Sequence, residues 1–215
     1  MKLLALAIAV GLVFASLSFG ADVPCLAGST FATLETQVSC TIGDKVFSDF
    51  ALSGSLTASD VSVETIIDSP PAAIGFMFQL DLETGEDVSL SYLVSTISGL
   101  PLIKSAHLGM EGSASGGGDI SIAEQVFPGC NYYDCTTPVL LNTNLGVGPT
   151  VSMDAVTFAP VNQLYVSKDL NVSNVGSGTL SVFSETVDQT PEPASMGLIG
   201  IGLAGLALWQ RRRTS

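Results

Sequence analysis

Between Val46 and Val187 apolar and polar residues alternate with a period of two. Val61-Ser62-Val63-Glu64, Ser89-Leu90-Ser91-Tyr92, Ile120-Ser121-Ile122, Val151-Ser152-Met153-Asp154 and Leu164-Tyr165-Val166-Ser167 all follow it. Phe76-Met77-Phe78-Gln79-Leu80-Asp81-Leu82 follows it more loosely. Side chains on a strand point alternately to its two faces, so this pattern predicts half-buried β-strands. Turn-forming groups separate them: Ser69-Pro70-Pro71, Thr84-Gly85-Glu86-Asp87, Ser98-Gly99-Leu100-Pro101, Gly116-Gly117-Gly118-Asp119, Gly146-Val147-Gly148-Pro149 and Gly176-Ser177-Gly178. No stretch of this region sustains a helical period over three turns. The expectation is an all-β domain over residues 21–189, a jelly-roll-like β-sandwich of about ten short strands. An outer-membrane barrel also alternates, but it needs longer strands and aromatic girdles, and aromatics are only 7% of this chain.

The two ends break the alternation. Met1-Lys2 and the apolar run Leu3 to Phe19 read as a signal peptide over 1–20, with Ser18 and Gly20 as the small residues before the cut. At the other end, Pro191-Glu192-Pro193 precedes an apolar run from Ala194 to Trp209, then Gln210 and Arg211-Arg212-Arg213. Residues 194–210 are expected to form a transmembrane helix within a C-terminal segment 190–215. The sixteen residues from Ala194 to Trp209 rise about 24 Å as a helix, slightly short of a hydrocarbon core of about 30 Å. Trp209 suits the membrane interface, and the arginines hold their end in the cytoplasm, so the domain faces the periplasm. The prolines at 191 and 193 keep the segment ahead of the helix extended. The simpler alternative is a permanent tail anchor.

Charge sharpens this division. The formal net charge is −13, and all 20 acidic residues lie between Asp22 and Glu192, against only Lys45, Lys104 and Lys168. That segment therefore carries −17 and repels nucleic acid and anionic headgroups. Nucleic acid is excluded as a partner. Export to an oxidising compartment gives the four cysteines, Cys25, Cys40, Cys130 and Cys135, a disulfide reading. Three pairings are possible, and sequential pairing, Cys25–Cys40 and Cys130–Cys135, is expected. A thiolate metal site is disfavoured by the spacing and by the presence of a single histidine, His107.

Candidate chemistry in the domain is sparse. There is no G-x-S-x-G motif, and His107 sits in the alternating stretch Ser105 to Met110, on one face of a strand. Glu111, Asp119 and Glu124 are carboxylates of the type glycosidases use in pairs, without a spacing that fixes their separation. Asp81, Glu83, Glu86 and Asp87 surround Gly85 and offer hard oxygen ligands for Ca²⁺, although the loop departs from EF-hand spacing. Tyr132 and Tyr133, inside the second cysteine pair, are the candidate glycan-binding rings. The expectation is a non-enzymatic protein that needs no cofactor.

The C-terminal segment resembles the PEP-CTERM sorting signal of Gram-negative bacteria. Pro191, Glu192 and Pro193 stand where that family has its recognition motif, with the apolar run and Arg211 to Arg213 behind them in order. Cys40-Thr41-Ile42-Gly43-Asp44-Lys45-Val46-Phe47-Ser48-Asp49-Phe50 is similar to a cysteine-glycine-aspartate-phenylalanine segment of the secreted domains that precede such tails. Gly75 to Phe78 and Val166 to Leu170 look like two further blocks of those domains. The resemblance implies processing by exosortase, a membrane protease-transpeptidase. It also implies an inner-membrane intermediate, then release to the cell surface or extracellular matrix. The associated role is structural or adhesive, in exopolysaccharide or biofilm; the alternative is a carbohydrate-binding module for a co-exported polysaccharide.

Overall fold

The computed structural model describes residues 23–67, 73–97, 102–130, 137–146 and 152–190. The chain runs β1 (Ser29–Thr30), α1 (Phe31–Thr36), β2 (Ser39–Ile42), β3 (Lys45–Gly54), β4 (Ser62–Ile67), β5 (Ile74–Glu83) and β6 (Asp87–Thr96). It continues through β7 (Ile103–Ser115), β8 (Ile120–Pro128), β9 (Val139–Leu145), β10 (Met153–Val161), β11 (Gln163–Val172) and β12 (Ser177–Gln189). Two six-stranded antiparallel sheets result, ordered β1-β4-β5-β12-β7-β10 and β2-β3-β6-β11-β8-β9. From β5 onward the chain crosses between them at every connection except β8–β9, which pair as neighbours. The inner quartets β5-β12-β7-β10 and β6-β11-β8-β9 are wound as a jelly roll, with β4 and β3 added at the outer edges of β5 and β6.

Alternation is what places the sheets face to face. Along β6 every second residue, Val88, Leu90, Tyr92 and Val94, is buried, and along β11 so are Leu164, Val166, Lys168, Leu170 and Val172. The centre of the core is aromatic: Phe31, Phe47, Phe76, Phe78, Tyr92 and Phe183 are all essentially inaccessible. Phe78 stacks on Phe183 with ring centroids 4.7 Å apart, and Phe47 meets Phe76 edge-on at the same separation. Phe183 lies on β12 beside Phe78 on β5, so the ring pair also fixes the register of those strands.

Two expectations need adjusting. The described residues form twelve strands rather than ten, and β7 and β12 run to 13 residues each. β7 continues through Gly112 because only a glycine fits there: an added Cβ would lie 2.6 Å from the Thr179 carbonyl of β12. The turn around Gly85 arches between the sheets, since β5 belongs to one and β6 to the other. Finally, the chain has a helix of six residues, α1, too short to give a periodic signal. It docks by burying Phe31 and Leu34. The segments 1–20 and 194–210 lie outside the described residues, among which no helix is long and apolar enough to cross a membrane.

Candidate functional site

Three charged residues occupy inward positions of otherwise apolar strands: Lys168 between Val166 and Leu170, Glu124 between Ile122 and Val126, and Glu185 between Phe183 and Val187. Lys168 on β11 is directly opposite Glu124 on β8 in the same sheet. Glu185 reaches them from β12, across the sandwich. Lys168 Nζ donates to Glu124 Oε2 and, at 2.9 Å, to Glu185 Oε2. All three side chains are at most 1% exposed. The second oxygen of each carboxyl, and the hydroxyl of the buried Tyr92, have no hydrogen-bond partner among the described residues. β12 comes close enough because Gly75 on β5 faces the Glu185 and Thr186 backbone, where any Cβ would collide.

A cluster of one ammonium and two carboxyls in an apolar core cannot keep both acids ionised cheaply. Burial, reinforced by the charge of Glu124 and opposed by Lys168, pushes the Glu185 carboxyl well above its usual range. Burial alone would lower the Lys168 ammonium, but Glu124 and Glu185 together raise it. Burial, with Glu185 and Glu124 behind it, raises the Tyr92 phenol as well. The arrangement therefore holds Lys168 as ammonium and Glu185 as acid. The sign follows from proton counting. Native Glu185 keeps a proton that the unfolded chain releases above a pH of about 4.3, so its contribution makes stability fall as pH rises from there towards the native value. The limiting slope is about 1.4 kcal/mol per pH unit. Glu185→Gln is expected to flatten this dependence in urea melts run across that range; an unchanged slope would contradict the assignment.

A second polar set closes the end of the sandwich from which the C-terminal segment departs. Lys45 is fully buried, ion-paired to Asp44 at 2.7 Å, and donates to Gln189 Oε1 at 2.7 Å. Asp188 Oδ2 accepts from Ser105 Oγ at 3.1 Å and lies 3.0 Å from His107 Nε2. The Thr190 N–H donates to the Leu102 carbonyl at 2.8 Å, and the Leu102 N–H returns a bond to Thr190 Oγ1 at 3.2 Å. Serine, histidine and aspartate thus meet, but Asp188 stands between the other two. Ser105 bonds the carboxylate rather than the imidazole, which is not the nucleophile–base contact of a hydrolytic triad.

The remaining candidates separate. Cys25 and Cys40 are disulfide-bonded, with Cα atoms 4.8 Å apart. Cys135, and with it the proposed pairing of Cys130, lies outside the described residues, as do Tyr132, Tyr133, Pro191, Glu192, Pro193, Trp209 and Arg211 to Arg213. Glu111 is exposed and Asp119 half-buried in the β7–β8 turn, whereas Glu124 belongs to the core cluster. In the Asp81–Asp87 loop, Glu86 turns its carboxylate back to accept the Glu83 N–H at 2.7 Å, stabilising the turn itself. Among the described residues no group of three or more His, Cys, Asp or Glu could hold a metal ion. None of the described aromatic rings is exposed.

Sequence reasoning placed Glu124 among the carboxylates but missed its partners. The available signal was phase: a charge on the buried parity of a strand needs a counter-charge inside.

The last residue of β12, Gln189, is also the first residue of a matching family model, the PEP-CTERM protein-sorting motif, which covers residues 189–213. The chain carries a PEP-CTERM sorting signal. Such a motif indicates an exported protein that is sorted to the cell surface, and it implies exosortase processing. No curated protein matches the chain. Among solved structures, it is similar to TmCBM61 in complex with β-1,4-galactotriose: 14% identity, 75% of this chain and 94% of that one covered, TM-score 0.36. It also overlaps the CBM22-1 xylan-binding domain of Paenibacillus barcinonensis Xyn10C at 10% identity, with 78% and 99% covered and a TM-score of 0.23. A third overlap is with Trichoderma harzianum endoglucanase 3, at 11% identity, with 66% and 98% covered and a TM-score of 0.25. Overlaps this low assign no activity to this chain.

Proposed function

We propose that this is an exosortase-sorted component of the cell surface or extracellular matrix, whose β-sandwich serves a structural or adhesive role associated with exopolysaccharide or biofilm, without catalysis. The observation that carries the proposal is the join between domain and signal. β12, a central strand of its sheet, ends at Gln189, Thr190 is held by two bonds to Leu102, and Pro191 follows at once. The sandwich is therefore presented with no spacer between it and the recognition tripeptide. The signal peptide over 1–20 and the helix over 194–210 supply the route: export, a membrane intermediate facing the periplasm, then release.

The exterior suits such a component. Two of the three lysines of the domain, Lys45 and Lys168, are buried, so their charge is spent inside and the surface is dominated by carboxylates. A uniformly acidic surface keeps a crowded matrix protein soluble and favours cation-mediated contacts.

Mass spectrometry of the mature C-terminus, in cells with and without the sorting enzyme, tests the route. The expected product lacks Arg211–Arg213 only when the enzyme is present; an intact arginine end in both would make the segment a permanent anchor. Replacing all three arginines with Glu is expected to abolish anchoring and processing together, and normal processing of that variant would remove the topology argument.

A further inference from the structure

The core cluster has a feature that an ordinary ion pair does not require. Lys168 and Glu124 sit opposite each other on neighbouring strands, fully buried and in direct contact. A second carboxyl, Glu185, touches the same Nζ at 2.9 Å from the facing sheet. An amine, an acyl carbon and a proton carrier are thus held together in a place that bulk water does not reach. Such fixed proximity replaces an encounter in solution by an effectively unimolecular step.

We propose that Lys168 and Glu124 condense to an intramolecular isopeptide bond, with Glu185 as the catalytic proton carrier. The inference stands on the core alone and does not depend on the sorting pathway. The step begins with proton transfer from the Lys168 ammonium to the Glu124 carboxylate, giving an amine and an acid. The exchange removes both charges at once, which lowers its cost where neither is solvated. The Nζ lone pair attacks Glu124 Cδ, and the carbonyl electron pair moves to its oxygen. Glu185 gives its proton to the departing hydroxyl, the C–O bond breaks and one water leaves. Glu185 then recovers a proton from the nitrogen and ends as it began. One ammonium and one carboxylate become one amide and one water, with no other reactant.

Glu185 suits the role because it is held in its acid form by burial and by Glu124. The product removes two buried charges, which the apolar surroundings favour. It also joins β8 to β11, inner strands of one sheet whose linked residues are 44 apart in sequence. For a protein displayed outside the cell, such a bond would keep the sandwich closed under load.

Intact mass spectrometry of the folded full-length protein decides the matter. The disulfides are reduced and the termini fixed by peptide mapping. The expected mass is lower than the sequence mass by one water. Trypsin should then fail to cut after Lys168, leaving Glu124 and Lys168 in one looped peptide that starts at Ser105, and chymotrypsin, which cuts between them at Phe127 and Phe158, should open it to a branched peptide. Lys168→Met should show the full mass, and so should Glu185→Gln, verified as folded by near-ultraviolet circular dichroism. A folded parent at full mass, cleaved normally after Lys168, overturns the bond, and it does so without relying on any variant. A branched peptide from Glu185→Gln would overturn the part assigned to Glu185.

Discussion

Lys168→Met is expected to destabilise the domain by about 3–5 kcal/mol, the usual consequence of removing one partner from a buried ion pair. For a domain of this size that corresponds to a fall in Tm of about 6–20 °C. Methionine fills most of the space of the lysine stem, so the loss does not come from a cavity. It comes from Glu124 and Glu185, which are left as buried carboxyls without the Lys168 nitrogen, at most 1% exposed. Both must then take up protons to stay inside, so the defect should deepen as pH rises. A triple variant, Lys168→Met with Glu124→Leu and Glu185→Leu, separates the contributions. Apolar replacement of a whole buried triad is commonly neutral or stabilising. It should therefore recover what the stranded carboxyls cost. It cannot recover a covalent link. By loop-closure arithmetic a link across 44 residues contributes about 4 kcal/mol through the unfolded state. A triple variant as stable as the parent in thermal melts would argue that charge alone holds the cluster; a persistent deficit is the expected result.

The same cluster shows how far the sequence could be read. Period-two alternation marked β4 to β8 and β11, and the start of β10, and implied two sheets sharing an apolar interior, but it singled out no stretch of β3, β9 or β12. It also contained the phase of Lys168, Glu124 and Glu185, each flanked at i±2 by buried aliphatic or aromatic residues. Phase tells that a charge points inward, not which charge it meets. Lys168 and Glu124 come together through the β11–β8 register, and Glu185 arrives from the other sheet. Neither relation has a local signature. In the Asp81–Asp87 loop composition suggests cation ligands, and only the geometry shows that one Glu86 oxygen accepts the Glu83 N–H of the turn. The polar closure around Gln189 and Thr190 was equally illegible, because its partners Lys45 and Leu102 lie 144 and 88 residues away. The sorting segment was legible because it works as linear sequence, a tripeptide, an apolar run and a basic end in fixed order.

Replacing both Cys25 and Cys40 with serine is expected to cost about 3 kcal/mol, the unfolded-state entropy released when a loop of 15 residues is opened. The effect should be uneven through the fold. The loop so closed contains β1, of two residues, and α1, of six, neither able to persist without packing. What holds them is Phe31 and Leu34 in the core, the Phe31 N–H bond to Val61, and the isolated bridge between Pro24 and Thr41. The disulfide ties Cys25, at the start of this segment, to Cys40 on β2, an edge strand. Without it the segment has an edge strand on one side and a short helix on the other. Local opening from residue 23 to 42 should then precede global unfolding. Hydrogen exchange measures this directly: Cys25, Gly28, Phe31 and Thr41 amides should lose protection while β7 and β12 amides change little. Equal acceleration throughout would mean that the bridge stabilises the whole sandwich as one cooperative unit rather than fastening its first layer.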